Sequence, residues 1–123
     1  MNLSNIESTQ LNATNKSWTK VCSEQELVKN AGVCALINDQ QIAIFHLEKA
    51  EQKVFAVGNF DPIGKANVLY RGILGSVKDE PVVASPLYKQ HFSLLTGQCL
   101  QDEKAQVPVY PVRVQSGEVQ LLV

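Results

Sequence analysis

The sequence lacks the features of several functional classes. No apolar run approaches the roughly 20 residues that a helix needs to cross a bilayer, so no transmembrane helix is expected. Eleven Lys and Arg face twelve Asp and Glu, a formal net charge of -1, which leaves no basic surplus for a phosphate backbone and argues against a nucleic-acid partner. The first ten residues lack the basic start and apolar middle of a secretory signal, so a cytoplasmic location is expected.

Residues with catalytic or cofactor-binding chemistry are also scarce. Three cysteines, an odd number, each lie beside apolar residues and are expected to be reduced core residues: Cys22, Cys34 and Cys99. The two histidines, His46 and His91, do not accompany a nucleophile motif. Neither the P-loop pattern nor the dinucleotide-binding glycine pattern occurs. The sequence therefore predicts no catalytic residue and no metal ligand.

The alternation of apolar and polar residues indicates β-strands through most of the chain. Short runs between polar turns predict strands over 17–22, 33–37, 41–47, 53–57, 81–84, 91–95, 109–114 and 118–123. No amphipathic helix of roughly 10–15 residues separates them, so the fold class is all-β, an antiparallel sandwich or small barrel. Residues 1–16, rich in Asn, Ser and Thr, are expected to be a disordered arm, which leaves one domain over 17–123.

Three local signals refine this prediction. Ser23 and Glu26 have the spacing of a capping box at the start of a short helical turn. Pro108 and Pro111 lack the N–H that a strand ladder needs, which places their strand at a sheet edge or a bulge. Residues 58–80 contain four of the seven glycines, so this stretch is expected to be a loop of defined shape with a function or a partner.

The segment that begins at Ser85 carries a more specific pattern. It resembles the second cluster loop of Rieske iron–sulfur domains, which runs Cys-Pro-x-His-Gly, then Phe, then a strand and Thr-Gly. Four residues are in step with that pattern: Pro86, Phe92, Thr96 and Gly97. The first cluster loop of the family, Cys-x-His, is similar in position to Asn59-Phe60-Asp61. The sequence therefore resembles a Rieske domain in both cluster loops.

The four positions at which Rieske domains hold iron are all changed in this sequence. They are occupied by Asn59, Asp61, Ser85 and Tyr88. A Rieske centre holds one iron by two thiolates and the other by two imidazoles, and these four side chains supply neither. We therefore expect no [2Fe-2S] cluster and no other cofactor in this chain.

The two loops and the remainder of residues 17–123 resemble the small subunits of bacterial assimilatory NAD(P)H nitrite reductases. The resemblance implies a Rieske-like antiparallel β-sandwich with a small loop-rich subdomain that corresponds to the former cluster site. It further implies a cofactor-free subunit of an oxidoreductase. Its partner would be a large subunit that carries siroheme, a [4Fe-4S] cluster and FAD and that reduces nitrite to ammonium in nitrate assimilation.

Two other functions stay open. A Rieske-type ferredoxin that carries electrons would need a cluster, which the changed ligand positions disfavour. A stand-alone β-sandwich interaction module would need no cofactor and would bind another partner. Association with a siroheme reductase separates the second of these from the nitrite reductase subunit.

Side chains are expected to link the two loops in place of a cluster. Asn59 and Asp61 can accept hydrogen bonds from nearby backbone amides. Ser85 and Tyr88 can form hydrogen bonds across to the first loop. The expected result is a polar, internally bonded tip.

The same tip is the predicted docking surface for the large subunit. Aromatic and apolar side chains beside positive charge are typical of interfaces, and the tip combines them at Phe60, Leu87, Tyr88, Lys89 and His91. The alternative is that these side chains fill the space that a cluster would occupy.

Overall fold

A computed structural model describes residues 16–123, so residues 1–15 of the predicted arm lie outside the described residues. The described chain forms twelve strands: β1 (Trp18–Ser23), β2 (Ala31–Ile37), β3 (Gln40–His46), β4 (Val54–Gly58), β5 (Phe60–Asp61), β6 (Ala66–Asn67), β7 (Ile73–Val77), β8 (Glu80–Ala84), β9 (His91–Ser93), β10 (Val109–Tyr110), β11 (Val112–Gln115) and β12 (Glu118–Leu122). Single 3-10 turns lie at Glu24–Glu26 and Leu69–Arg71. Within the described range, no helix is long and apolar enough to span a membrane.

The strands form three sheets and one small hairpin, and neighbouring strands in every one of them are antiparallel. The central sheet has the order β10-β4-β3-β2, the second sheet β11-β12-β1 and the third sheet β9-β8-β7. Strands β5 and β6 form the small hairpin. The prediction of an all-β, antiparallel fold is confirmed.

The central sheet is buried on both faces because the second and third sheets pack on either side of it. Ala43 and Phe45 lie on the face that shares a core with Phe92. Ile44 lies on the opposite face, in a core with Leu121. Burial of each large apolar side chain contributes about 1.5–3 kcal/mol, so these two cores hold the strands that carry the loops of interest.

The strand predicted over 109–114 is divided at Pro111. Val109–Tyr110 pairs with β4 at an edge of the central sheet, whereas Val112–Gln115 pairs with β12 at an edge of the second sheet. Pro111 therefore lies where the chain passes from one sheet to the other, since its missing N–H interrupts neither ladder there. The prediction of an edge position is confirmed.

The capping box predicted at the first helical turn is also confirmed. The Ser23 hydroxyl accepts a hydrogen bond from the Gln25 amide at 3.2 Å. The Glu26 carboxyl accepts one from the Ser23 amide at 2.7 Å. These reciprocal bonds satisfy amides that a short turn would leave without partners.

The prediction that residues 58–80 form a loop throughout is wrong for its second half. Ile73–Val77 is a strand that pairs with β8. Gly75 interrupts the apolar pattern of this strand, and Gly72 lies just before it. Because glycine is unfavourable in strands and typical of loops, the sequence pattern did not indicate a strand here.

The prediction that all three cysteines are core residues is also wrong for one of them. All three thiols are free; Cys99 is buried, Cys22 is half-buried and Cys34 is exposed. Cys34 lies on β2, an edge strand of the central sheet. Partial burial of the sulfur nevertheless raises the pKa of the Cys34 thiol, so this group stays protonated at neutral pH.

Gly97 provides a test of how tightly the chain packs beside the third sheet. Its φ is +79°, and a Cβ at this position would lie 2.0 Å from the Val107 carbonyl oxygen. Gly117 has a φ of +78° with nothing within 4 Å of such a Cβ. Both alanine variants meet the cost of a left-handed backbone, about 1–2 kcal/mol, but only Gly97→Ala also displaces the neighbouring backbone at Val107.

We predict that Gly97→Ala lowers the free energy of unfolding by roughly 1–3 kcal/mol more than Gly117→Ala, because overpacking adds a cost of that size. Chemical denaturation of the two variants and the unaltered protein measures the difference. Equal losses in the two variants would show that the contact with Val107 is not close.

Candidate functional site

Two loops meet at one end of the molecule and are called here the tip loops. The first, residues 59–65, follows β4, and the second, residues 85–90, connects β8 to β9. Three of the four positions aligned with Rieske ligands lie in the interior of the tip loops: Asn59, Asp61 and Ser85, with 0, 0 and 1% of their surface exposed. Buried polar groups must find hydrogen-bond partners, so these three residues determine the local structure.

Asn59 attaches the first tip loop to its neighbours. Its Oδ1 accepts a hydrogen bond from the Tyr70 amide at 2.7 Å. Its Nδ2 donates to Oε1 of Gln41 at 3.1 Å and lies 3.6 Å from Sγ of Cys34. Its backbone N–H donates to the Gln41 carbonyl and its carbonyl accepts from the Leu69 amide. Asn59 does accept from a backbone amide, as expected, although the donor is eleven residues further along the chain.

Asp61 organises the turn that follows it. Its Oδ1 accepts hydrogen bonds from the amides of Ile63 at 2.8 Å and Gly64 at 3.0 Å. Its backbone carbonyl accepts from the Lys65 amide at 2.7 Å. This is the Asx-type turn expected from the sequence, in which a side-chain oxygen replaces a backbone acceptor.

Ser85 joins the second tip loop to the first. Its hydroxyl donates to Oδ2 of Asp61 at 2.5 Å and accepts from the Leu87 amide at 3.3 Å. The side chain of Leu87 also covers Gly64, where an added Cβ would lie 2.4 Å from Cδ1 of Leu87. The two loops are therefore linked by one polar and one apolar contact.

Tyr88 and His91 take no part in this hydrogen-bond network. Tyr88 is 65% exposed, and its hydroxyl bonds to no group within residues 16–123, so the expected bond from Tyr88 across to the first loop is wrong. Nδ1 of the His91 ring lies 3.2 Å from Nε2 of Gln101, and the His91 backbone N–H donates to the side-chain Oε1 of Gln101 at 2.8 Å. Gln101 therefore fixes His91 at the start of β9.

The outer surface of the tip loops is apolar and positively charged. Phe60, Leu87 and Tyr88 have 48, 44 and 65% of their surface exposed, and Lys89 is exposed beside them. Asp61 and Ser85 meet in the interior, where a cluster would have to lie. The exposure of the three apolar side chains argues against the alternative that they fill that place.

The sequence of the described domain is similar to proteins of a known family. Residues 17–122 match the Rieske-like [2Fe-2S] domain family. The chain is 43% identical over 104 residues to the NADH nitrite reductase small subunit of Escherichia coli K12. The aligned residues are 85% of this chain and 95% of that protein. The chain belongs to the family of nitrite reductase small subunits. The NMR structure of the E. coli protein NirD matches this small-subunit chain with a TM-score of 0.77 at 42% identity, over 86% of this chain and 96% of that one, which confirms the Rieske-like fold.

A large subunit also contains a stretch related to this small-subunit family. The NAD(P)H nitrite reductase large subunit of Klebsiella oxytoca is 40% identical over 105 residues, which are 85% of this chain and 11% of that protein. A domain similar to the small subunit is thus part of that large polypeptide.

The tip loops of this small-subunit chain do not fit the [2Fe-2S] cluster from which the wider family takes its name. The four aligned positions offer an amide, a carboxyl and two hydroxyls, whereas a Rieske cluster needs two thiolates and two imidazoles. Two of these positions, Asp61 and Ser85, bond directly to each other, which leaves no space between them for iron. In the part of the chain that the structure describes, no group of three His, Cys, Asp or Glu side chains could hold a metal ion.

Sequence reasoning missed two residues of the site, Gln41 and Cys34. Their contacts with Asn59 span 18 and 25 residues of sequence, so no local motif reveals them. The register of the strands could have revealed them. It pairs Cys34 with Ala43 and Ile42 with Gly58, so Gln41 and Cys34 lie at the end of the sheet where Asn59 follows Gly58.

The link between the tip loops can be measured by a double-mutant cycle. Ser85→Ala leaves the buried Oδ2 of Asp61 without a donor, so we predict a loss of roughly 1–3 kcal/mol of stability. Asp61→Ala also removes the acceptor of two amides, and we predict a larger loss. The double variant should lose less than the sum by about 1 kcal/mol or more, because the residues bond to each other.

Denaturant unfolding of the four proteins measures this coupling energy. Ser17→Ala, at an exposed serine outside the positive-φ positions, is the matched control and should change stability by no more than about 0.5 kcal/mol. Strictly additive losses would show that the hydroxyl and the carboxyl act independently.

Proposed function

We propose that this chain is the small subunit of an NAD(P)H-dependent nitrite reductase that converts nitrite to ammonium in nitrate assimilation in the cytoplasm. The observation that carries the proposal is the 43% identity to the E. coli small subunit across 95% of that protein. The functional unit is the Rieske-like domain over 17–123, with residues 1–16 as an arm outside it. The enzyme is an oxidoreductase, and this chain takes part in it as a subunit.

In this proposal the chain holds no cofactor and carries out no chemical step. Siroheme, the [4Fe-4S] cluster and FAD belong to the large subunit. The donor set at the tip supports this division, because the buried oxygens of Asp61 and Ser85 are used in hydrogen bonds to each other and to backbone amides. The contribution of the chain is then a surface that the large subunit recognises.

The docking surface that we propose consists of Phe60, Leu87, Tyr88, Lys89 and His91. Within 58–77 and 84–101, the two segments that carry this surface, the single carboxyl is that of Asp61, which is buried. The cations of the same two segments are exposed at Lys65, Arg71 and Lys89. The matching surface on the large subunit is then expected to be acidic opposite these cations and apolar opposite the exposed side chains of the tip. Charge complementarity of this kind increases the association rate and the specificity.

The absence of a cluster is tested by metal analysis. The purified chain should be colourless, with substoichiometric iron and acid-labile sulfide, because its loops offer no thiolate or imidazole at the four positions. Elemental analysis and visible absorption measure this. Two irons and two sulfides per chain would support the ferredoxin alternative and contradict the proposal.

The subunit role is tested by expressing the large subunit with and without this chain. We expect nitrite-dependent NAD(P)H oxidation, or the yield of intact large subunit, to fall when this chain is omitted, and the two chains to purify together. The same activity and yield in both preparations, with no association, would favour a stand-alone interaction module.

The docking surface is tested by two substitutions that leave the buried network intact. Phe60→Ala and Lys89→Glu should each weaken binding to the large subunit about tenfold or more, since interface anchors contribute above 1 kcal/mol. The matched controls are Val114→Ala, at an apolar side chain that is 39% exposed, and Lys20→Glu, both in the second sheet. Unchanged affinity for both tip variants would exclude this surface.

A further inference from the structure

The third sheet ends in an unprotected edge strand. Strand β7 pairs with β8 alone in the described part of the chain, and its first residue, Ile73, is 76% exposed. Proteins normally protect such edges by charged residues, proline or bulges, because unpaired backbone groups there are a template for another strand. Residues 73–77 contain neither charge nor proline, and the register with β8 is continuous.

The turn that follows β7 fixes the hydrogen-bond phase of the strand. Lys78 and Asp79 form a two-residue connection with φ of 51° and 68°, both positive as a type I′ turn requires. The residues on either side, Val77 and Glu80, are then the hydrogen-bonded pair that closes the hairpin.

Alternation along the ladder shows which amides of β7 point outwards. From Val77, every second residue bonds to β8, so Gly75 and Ile73 do so as well. Leu74 and Ser76 direct their N–H and C=O groups away from the sheet. The pairing of Ser76 with Pro81 agrees with this phase, because proline has no N–H to donate.

Each face of β7 also borders a depression that a partner's side chains can enter. On the face towards the central sheet, a cleft of about 700 Å³ is lined by residues that include Phe55, Leu74 and Leu95. On the other face, a cleft of about 120 Å³ is lined by residues that include Ile73, Val82 and His91. A strand added to an edge places alternate side chains on opposite faces, and pockets for them provide specificity.

We propose that β7 is a strand-addition site for an extended segment of the nitrite reductase large subunit. The inference rests on the proposed function. Ile73 pairs with Ala84, the residue before the second tip loop, so the edge is continuous with the docking surface and one partner can cover both. The exposed cation next to β7 at this end, Arg71, selects a segment with a carboxyl opposite it.

The first test removes one outward amide without disturbing the ladder to β8. Ser76→Pro lacks the N–H that would bond to the added strand, and Ser76→Thr keeps it. We expect the proline variant to bind the large subunit at least about fivefold more weakly, because the partner's carbonyl is left without a donor, and the threonine variant to bind like the unaltered chain. Denaturant unfolding of both variants confirms that they are folded.

The second test uses side-chain charge and hydrogen exchange. Ile73→Glu should weaken binding, because it places a charge on the edge strand and repels an acidic partner surface, whereas Val28→Glu, at another exposed apolar residue, should not. In the complex with the large subunit, the amides of Leu74 and Ser76 should become protected from exchange. The amides of Gly75 and Val77, which bond to β8 in both states, are the internal reference.

The outcomes separate this inference from the proposed function. If the unaltered chain does not bind the large subunit, the proposed function fails and this inference fails with it. If it binds, but Ser76→Pro binds as tightly as Ser76→Thr and the two amides gain no protection, strand addition is wrong while the subunit role stands. If Ser76→Pro instead abolishes self-association in light scattering and leaves binding to the large subunit unchanged, the edge pairs with a second copy and the inference is overturned.

Discussion

The hydrogen bond from Ser85 to Asp61 is the connection on which the tip of this molecule depends. In a Rieske domain an inorganic cluster joins the two loops through four ligands, whereas here one O–H···O bond joins them directly. Both partners are buried, and hydrogen bonds are stronger electrostatically in such surroundings than in water. Since the amides of Ile63 and Gly64 bond to the same carboxyl, the turn and the link between the loops form one unit.

The linked tip loops hold a fixed position because rigid strands precede both of them. The first tip loop follows β4, whose residues are buried along its whole length, and the second follows β8 in the third sheet. Asn59 adds bonds to Gln41 and Tyr70, which attach the loop to the neighbouring strand and to the second 3-10 turn. Phe60 and Leu87 are therefore presented to solvent from a fixed backbone, and preorganisation of this kind lowers the entropy cost of binding.

Sequence reasoning succeeded where the determinant is local and failed where it is not. Alternation predicted the hairpin strands β2 and β3, and the Ser85-Pro86 pattern located the second loop, since both depend on neighbouring residues. Tyr88 was misjudged because a pattern fixes a residue's position and not the direction of its side chain. The exposure of Cys34 depends on β2 lying at a sheet edge, a property of the assembled sheet order that no short segment carries.

Strand β8 connects the two surfaces that we propose as contacts for the large subunit. Its last residue, Ala84, precedes Ser85 and the second tip loop, and β7 pairs along its side. A partner that displaced the tip loops would therefore also disturb the edge, because one ladder supports both. Hydrogen-bonding residues occupy the positions of the cluster ligands, and the ladder between β7 and β8 is continuous beside them. In the proposed function, the fold presents the tip loops on rigid strands without a metal site, which is what an accessory subunit requires.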